Sequence, residues 1–419
     1  MPLKSENVEK MELALKEMKG FHPKSMSVYD SYALVKSAGS GVEAFNFQQY
    51  MSITPAGTWM CFWTQGSTES TPDQRAVCAR STDNGKTWSS EIIIEDAAPV
   101  YKIPAWVMPF TVPHSGRVYA FYWYNINDDT IRDGGDIFFK YSDDDGLTWS
   151  ERHRAGVCRT PIDDDGQEMH GWNFGPFVIM PNGKPMMNYN KIRRSSMLDG
   201  KPDLWETEAF FMECENIMFE SDPKKLIFNF YPDGGHGLFV KHPVNGQNFG
   251  QEATLLPLSN GKILTVFRTR TGNLYFSVSK DEAKTWNQPE PLRFCPYGPM
   301  LLQPCASPPI KKLKDGRIVL LYHNTEADRS GWNPRHPLWI LVGREVLGTD
   351  CNGGIVFGSP RILLYNDGVP GGTFNDTEIA YPEVFEWAGR VFVAYSSKTE
   401  EIRISEIDPE LLDDFGLPV

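Results

Sequence analysis

The sequence lacks several features that would assign a protein to a class at once. None of its 419 residues belongs to an apolar run of the roughly 18 residues that a membrane-spanning helix needs. The seven cysteines are widely spaced, with no CxxC pair and no zinc-type cluster with histidine, so reduced and buried thiols are expected. The formal net charge is −13, which argues against nucleic acid and anionic membranes as partners.

The N-terminal part of the chain differs from the rest. A short amphipathic helix is predicted within residues 1–25, because apolar residues are spaced among lysine and glutamate at Met11, Leu13, Leu15 and Met18. The chain as written shows neither the apolar core nor the cleavage site of a secretory signal. We therefore expect a cytoplasmic protein, or an exported one if a leader has been removed. Residues 26–419 are expected to form a single domain.

Beyond this segment, short apolar and aromatic runs alternate with residues that break them. Aromatic residues make up 13% of the chain, which also contains 36 glycines and 31 prolines. Such runs, bounded by glycine, proline, asparagine and aspartate, predict β-strands. Strands do not alternate with helical segments along the chain, so a parallel α/β sheet is not expected.

A repeated pattern predicts how these strands are arranged. A glycine that begins a strand is followed six residues later by an aromatic residue in six places, at Gly57, Gly116, Gly183, Gly261, Gly316 and Gly389. Repeats of this length, with about four strands each, are typical of β-propeller blades, which cover one another's faces in a ring. The sequence therefore predicts an all-β, six-bladed β-propeller. We expect an early strand near residues 26–32 to close the ring by pairing with the last repeat.

A second motif is repeated on a shorter scale. Residues 81–88 and 142–149 share the pattern S-x-D-x-G-x-T-W, and residues 279–286 form a third copy with alanine at the glycine position. In such a turn the aspartate accepts backbone N–H groups, the glycine permits a positive φ, and the tryptophan packs against the sheet. The motif thus predicts a hairpin turn with a structural role.

These motifs resemble the Asp-box, or BNR, repeat of the sialidase superfamily of propellers, and the resemblance covers essentially residues 26–408. In that family the boxes occupy outer turns, and the catalytic pocket lies at one end of the central channel. The resemblance implies a glycoside hydrolase that removes a terminal, acidic sugar from a glycan. It implies a carbohydrate partner and no cofactor, while a structural metal in the channel and the oligomeric state stay open.

The resemblance also implies roles for three residues in catalysis. Tyr381, at the start of the last inner strand, resembles the nucleophilic tyrosine, and Glu252, nine residues before Gly261, resembles the glutamate that assists it. A phenol beside a carboxylate base becomes more nucleophilic, since its proton can leave as attack begins. Asp73, in a loop of the first repeat, resembles the general acid that protonates the leaving oxygen.

The family binds the substrate carboxylate with three arginines, of which the sequence supplies two. Arg268 resembles the second, with its neighbour Arg270 as a rival, and Arg335 resembles the third. Where the first arginine is expected, the segment around Gln48 and Gln49 contains none. The pocket is therefore expected to bind another acidic sugar or a neutral one, with these glutamines hydrogen-bonding its hydroxyl groups.

Two histidines favour a different reaction on the same fold. His170 and His236 lie in glycine-rich loops, and propeller polysaccharide lyases of the ulvan and rhamnosyl-glucuronate kinds resemble this architecture. Such enzymes use histidine and tyrosine as base and acid in β-elimination, while an arginine neutralises the uronate carboxylate. The rim loops are expected to contain Trp106, Trp172 and Trp332, whose rings would stack on sugars. A non-catalytic glycan-binding propeller is the third hypothesis.

Overall fold

The computed structural model describes residues 24–25, 29–33, 41–99, 102–126, 135–197, 205–326, 334–346, 348–349, 351–365 and 379–413. These residues form 29 β-strands and one short α-helix, α1, at Arg194–Met197. Short 3₁₀ turns occur at Pro223–Lys225, Cys351–Gly353 and Pro409–Leu412. The predicted N-terminal helix lies outside the described residues, apart from the last two positions of its segment, which form strand β1 (Lys24–Ser25).

The first three blades follow one another along the chain, each starting with its innermost strand. Blade one contains β3 (Phe45–Ile53), β4 (Trp59–Gly66), β5 (Arg75–Ser81) and β6 (Ile92–Glu95). Blade two contains β7 (Pro104–Thr111), β8 (Val118–Tyr124), β9 (Asp136–Ser142) and β10 (His153–Arg154). Blade three contains β11 (His170–Phe174), β12 (Val178–Ile179), β13 (Pro185–Ile192), β14 (Thr207–Cys214) and β15 (Phe228–Tyr231).

The second half of the chain repeats this arrangement after a small hairpin of β16 (Val240–Lys241) and β17 (Asn248–Phe249). Blade four contains β18 (Gln251–Pro257), β19 (Ile263–Arg268), β20 (Tyr275–Ser279) and β21 (Glu290–Pro291). Blade five contains β22 (Ile310–Lys312), β23 (Ile318–Tyr322), β24 (Leu338–Glu345), β25 (Ile355–Phe357) and β26 (Arg361–Tyr365). Blade six contains β27 (Ala380–Trp387), β28 (Arg390–Ser397) and β29 (Glu401–Glu406).

An early strand closes the ring, as the sequence predicts. Strand β2 (Ser31–Tyr32) pairs antiparallel with β29 and becomes the outermost strand of blade six. In addition, β1 pairs in parallel with β26 at the edge of blade five. The first and last parts of the chain are therefore held together by backbone hydrogen bonds, and the predicted six-bladed β-propeller is confirmed.

The hydrophobic core lies between the blades and is divided among them. In β4, Trp59, Cys61 and Trp63 pack against blade six, whereas Met60 and Phe62 pack against blade two. Successive side chains of a strand point to opposite faces, so one fully apolar strand serves two interfaces. Corresponding clusters join blades two and three, three and four, four and five, and five and six. This division explains why the second strand of each blade is buried along nearly its whole length.

The repeated turns have the backbone conformations and hydrogen bonds that their residues predict. The six repeat glycines connect the first and second strands of their blades with φ between 77° and 90°, a region that glycine adopts without a steric penalty. In the first Asp-box, Asp83 accepts the Thr87 N–H at 2.9 Å and the Ser81 hydroxyl at 2.8 Å. These hydrogen bonds, led by the Thr87 backbone, lower the pKa of Asp83 to about 2. The three boxes join the third and fourth strands of their blades, on the outside of the ring.

The cysteines only partly follow the prediction. Cys61, Cys78, Cys214 and Cys305 are buried, and no disulfide joins any of the seven. Cys158, however, is exposed in the segment that leads from blade two to blade three. The expectation of burial is therefore wrong for this thiol. Within the described ranges, no helix is both long and apolar enough to cross a bilayer.

Candidate active site

Four of the innermost strands contain one residue with a left-handed backbone at equivalent positions. Gln48, Trp106, Glu252 and Tyr381 have φ of 59°, 57°, 48° and 50°, and each accompanies a shift in the pairing register with the next strand. Each lies eight to ten residues before its repeat glycine. A bulge of this kind redirects a side chain, and the strain of such a conformation, on the order of 1–2 kcal/mol, is common at functional sites. The bulges mark the end of the channel where the inner strands begin, here called the site mouth.

Tyr381 lies among aromatic rings and charged groups at the site mouth. Its ring meets the Trp106 ring edge-on, with centroids 5.1 Å apart, and is partly exposed. Burial raises the pKa of Tyr381, and the negative charges of Glu252 and Glu69 raise it further. The positive charges of Arg335 and Arg268 act in the opposite direction. The phenol is therefore neutral at ordinary pH, within the electrostatic reach of two carboxylates and two guanidinium groups.

Glu252 and Arg268 form a buried ion pair beside this tyrosine. Arg268 Nη1 donates to Glu252 Oε1, and the two side chains are 3% and 2% exposed, respectively. The backbone N–H of Glu252 donates to Asn190 Oδ1 at 3.0 Å, which fixes its bulge. Burial alone would lower the pKa of Arg268, but Cys305, Glu252 and Tyr381 outweigh it, so this pKa is raised. Arg268 thus keeps its charge in a buried position.

The second arginine reaches the same place from blade five. Arg335 is buried, and its Nη2 donates to the backbone carbonyl of Cys305 at 2.9 Å. Burial, followed by the charge of Arg335, lowers the pKa of His323 to about 3, so this histidine is neutral beside the arginine. The structure therefore brings four residues predicted from the sequence, Tyr381, Glu252, Arg268 and Arg335, into one cluster. Arg270, the rival, has its guanidinium 6.0 Å from the Phe249 ring centroid.

The two glutamines of blade one are fully buried, and both form hydrogen bonds within the protein. Gln48 Oε1 accepts the Thr64 hydroxyl at 2.9 Å. Gln49 Nε2 donates to the backbone carbonyl of Tyr381, which joins the innermost strands of blades one and six. Gln49 therefore supports the bulge that presents Tyr381. Contact of either glutamine with a sugar hydroxyl stays a prediction.

The loop between β4 and β5 contains two carboxylates with different surroundings. Asp73 accepts the backbone N–H of Ser67 at 3.2 Å and also its hydroxyl. Burial opposes these hydrogen bonds, but together they lower the pKa of Asp73, so this group is ionised at neutral pH. Glu69, four residues earlier, is partly exposed, and its charge acts on Tyr381. Glu69 is not among the residues predicted from the sequence, where its only signal is that it shares a loop with Asp73.

Three of the remaining predicted residues lie on blade three or in the loop that follows it. His170, expected in a loop, is instead buried in β11. Trp172, expected in a rim loop, lies in the same strand and packs against Trp205 with ring centroids 4.8 Å apart. His236 is half-exposed after β15, and its Nδ1 lies 2.9 Å from Glu208 Oε1. Trp106, expected in a rim loop, lies instead in β7 with 1% exposure, and Trp332 lies outside the described residues.

The end of the channel opposite the site mouth contains a cavity. This cavity, of about 720 Å³, is lined mostly by apolar residues from the innermost strands of all six blades. Its charged lining residues are Glu383, Lys311, Lys312 and Lys314. Burial raises the pKa of Glu383 to about 7, although Lys311 and the Met51 N–H, at 2.6 Å, oppose the shift. Among the residues that the structure describes, no group of three His, Cys, Asp or Glu side chains is placed to hold a metal ion.

Comparison with known proteins gives the same architecture. Residues 223–393 match the family described as "BNR repeat-like domain". No curated protein matches the chain in sequence.

Solved sialidases share the fold at low sequence identity. The NanB sialidase of Streptococcus pneumoniae aligns with a TM-score of 0.61 and 12% identity over 92% of this chain and 71% of its own. The intramolecular trans-sialidase of Ruminococcus gnavus, solved with oseltamivir carboxylate, aligns with a TM-score of 0.58 and 14% identity over 91% and 98%. The Hadza microbial sialidase Hz136 aligns with a TM-score of 0.58 and 14% identity over 88% of this chain, which spans 66% of that protein. The chain is therefore similar in fold to these sialidases, as a six-bladed β-propeller, and residues 223–393 are similar in sequence to BNR repeat-like domains.

Proposed function

We propose that the protein is an exo-acting glycosidase that removes a terminal acidic sugar from a glycan. One observation carries the proposal: a neutral, partly exposed tyrosine lies within reach of the charges of Glu252, Arg268 and Arg335 at the site mouth. A buried cationic pair supplies binding energy for a carboxylate, and a phenol beside a carboxylate supplies a nucleophile with its base.

The two arginines would hold the carboxylate of the sugar. Guanidinium groups bind carboxylates through parallel N–H donors and keep their charge when buried. Arg268 comes from the end of β19 and Arg335 from the segment before β24, so two neighbouring blades would contribute to one anion site. Binding the carboxylate there would place the rest of the sugar beside Tyr381.

Tyr381 would attack the anomeric carbon and form a covalent glycosyl intermediate. A neutral phenol can approach an anionic sugar without the repulsion that a carboxylate nucleophile would meet, which suits an acidic substrate. Glu252 would accept the phenolic proton: its Oε1 is paired with Arg268, while its buried Oε2 accepts no hydrogen bond from the described residues. Water would then release the sugar with retained configuration.

Glu69 is the better supported proton donor for the leaving oxygen. A general acid must hold a proton near the working pH. Asp73 is held by Ser67 with a lowered pKa, which does not favour that role, whereas Glu69 lies partly exposed in the same loop and close enough to Tyr381 to affect the pKa of that phenol. The role of Asp73 as acid stays a prediction, and stabilising the loop that presents Glu69 is the role that its contacts support.

The test is turnover of glycosides that differ only in the terminal sugar. We expect release of sialic acid, or of another sugar bearing a carboxylate, from an aryl glycoside, and loss of turnover in Tyr381→Phe with binding retained. Tyr119→Phe, the same exchange at a buried tyrosine in the core between blades two and three, controls for a general effect of the exchange. Release of neutral sugars alone, or full activity of Tyr381→Phe, would contradict the proposal.

One contact favours elimination as a second candidate. Glu208 is fully buried and accepts three donors, His236 Nδ1 at 2.9 Å, the Gly237 N–H at 2.8 Å and Asn248 Nδ2 at 2.6 Å. A carboxylate that holds Nδ1 leaves Nε2 of the half-exposed imidazole as the proton acceptor. If uronate polymers yield an unsaturated product, detected by its ultraviolet absorbance, and His236→Ala abolishes it, the lyase is supported and the glycosidase is not.

A further inference from the structure

We propose that Cys305 is a positioning residue that fixes Arg268 and Arg335 relative to each other. The inference rests on the proposed role of these arginines as a carboxylate site. Cys305 itself has no chemical step in this account: it acts through the two guanidinium groups that it contacts.

Each arginine donates a hydrogen bond to a different part of this residue. Arg268 Nε donates to Cys305 Sγ at 3.1 Å, and Arg335 Nη2 donates to the Cys305 carbonyl oxygen at 2.9 Å. All three residues are buried, with Cys305 1% exposed. A thiol sulfur 3.1 Å from a guanidinium nitrogen is a close contact, and its partner is charged, which strengthens the hydrogen bond.

The position of Cys305 in the chain explains why one residue can contact both arginines. It lies in the connection from β21 of blade four to β22 of blade five, and these are the blades that contribute Arg268 and Arg335. The connection is itself anchored, because Gln303 Oε1 accepts the backbone N–H of His323 in blade five at 2.7 Å. A shift of either blade would therefore be transmitted to both arginines through Cys305.

Two contacts orient the plane of the Arg268 guanidinium. Nε is bonded to Cys305 Sγ and Nη1 to Glu252 Oε1, on different sides of the planar group. A planar fork held at two nitrogens keeps a single orientation, and an arginine held in advance loses less entropy when it binds a carboxylate. Without the sulfur, Arg268 would lose its contact at Nε, and the two arginines would no longer share Cys305 as a common contact.

The test compares two substitutions that differ in one property. Cys305→Ser keeps a hydrogen-bond acceptor, whereas Cys305→Val keeps the bulk and removes the acceptor. Cys214→Val makes the same change at a fully buried cysteine in the core between blades two and three and serves as the matched control. Circular dichroism and thermal unfolding establish that all three variants are folded.

The first measurement needs no substrate. Exchange of the Arg268 Nε–H with solvent, followed by NMR and assigned with Arg268→Lys, is expected to be slow in the wild type, in Cys305→Ser and in Cys214→Val. In Cys305→Val it is expected to accelerate at least tenfold. Unchanged exchange in Cys305→Val would overturn the proposal, whatever the protein's activity.

The second measurement is binding of oseltamivir carboxylate and of its ethyl ester, which differs from the acid by lacking the carboxylate charge. In Cys305→Val we expect binding of the acid to weaken about tenfold, the loss typical of one hydrogen bond to a charged group, and the preference for the acid over the ester to shrink. Cys305→Ser is expected to stay within about threefold of the wild type. Equal weakening for acid and ester would overturn the positioning role. If the wild type binds neither, the proposed function fails, and the exchange result still decides the contact.

Discussion

Glu252 and Arg268 pair across neighbouring strands of blade four, with less than a twentieth of either side chain exposed. Glu252 is one residue beyond the register position that faces Arg268, because a bulge separates Gln251 from the regular pairing that resumes at Thr254. The strained backbone of Glu252 therefore serves to bring its carboxylate against the guanidinium and beside Tyr381. Several consequences can be measured.

The ion pair is expected to be strongly coupled. Removing one partner leaves the other charge buried without compensation, which costs about 3–5 kcal/mol. We expect Arg268→Leu to lose this amount of unfolding free energy, and the double variant Arg268→Leu with Glu252→Gln to lose clearly less than the sum of the two single changes. Urea denaturation of the four proteins measures the coupling. Additive losses would show that the two groups do not interact.

Substitutions of the two carboxylates of the β4–β5 loop are expected to have different effects on catalysis. Glu69→Gln should lower kcat by about 10²–10⁴-fold on a substrate with a sugar leaving group, since protonation of the leaving oxygen is lost. On an aryl glycoside with an acidic phenol as leaving group, the loss should be much smaller, because such a group leaves without protonation. The measurement is kcat on the two substrates.

Asp73→Asn is the comparison for Glu69→Gln. Because the pKa of Asp73 is lowered in the folded protein, its contribution to stability is present above the unfolded pKa and is lost as pH falls through the folded one. We therefore expect Asp73→Asn to reduce stability at neutral pH more than at acid pH, and to affect both substrates alike. A leaving-group-dependent loss in Asp73→Asn, and none in Glu69→Gln, would assign the acid to Asp73.

Glu383 is expected to make stability depend on pH in the opposite direction. Its pKa is raised to about 7 in the folded protein, so its contribution is fully present below the unfolded value of about 4.5 and is lost as pH rises through 7. One pKa unit corresponds to about 1.4 kcal/mol, so at most about 3 kcal/mol is involved. Glu383→Gln should therefore be more stable than the wild type at pH 8, and this advantage should vanish near pH 4. Equal stability of the two proteins at pH 8 would contradict the raised pKa.

One glycine is expected to be needed for close approach of two blades. A Cβ added at Gly175 would lie 1.9 Å from the carbonyl oxygen of Ala253, the neighbour of Glu252, whereas one added at Gly183 meets nothing within 4 Å. Gly175→Ala should therefore cost more than about 2 kcal/mol and lower activity by displacing Glu252, since overlap with backbone cannot relax easily. Gly183→Ala should cost only about 1 kcal/mol, from its positive φ of 82°. Similar stabilities in thermal unfolding would contradict the packing.

The sequence predicts the fold and the inner-strand positions well because both come from local, repeated patterns. The repeat glycines and the Asp-boxes each fix a turn within a few residues, and counting back from Gly261 or Gly389 finds Glu252 or Tyr381. These rules depend only on backbone conformation and alternating burial. The patterns therefore predict the turns and the inner-strand positions in every blade that contains them.

The supporting contacts could not be predicted in this way. Gln49 donates to the carbonyl of Tyr381 across 332 positions, and Arg335 reaches Cys305 across 30. Neither pair shares a motif, and each exists only because the ring places particular blades side by side. Glu69 and Asp73 are carboxylates of one loop, and the sequence does not show that Ser67 donates its hydrogen bonds to Asp73.

The most direct test of the account is to trap the intermediate on Tyr381. A fluorinated sialic acid with a good leaving group forms a covalent enzyme adduct and slows its breakdown, and mass spectrometry of the digested protein locates the attached sugar. We predict a mass increase of one sugar on the peptide that contains Tyr381, and none in Tyr381→Phe. An adduct on another residue, or turnover of the natural substrate without any adduct, would contradict the proposed nucleophile.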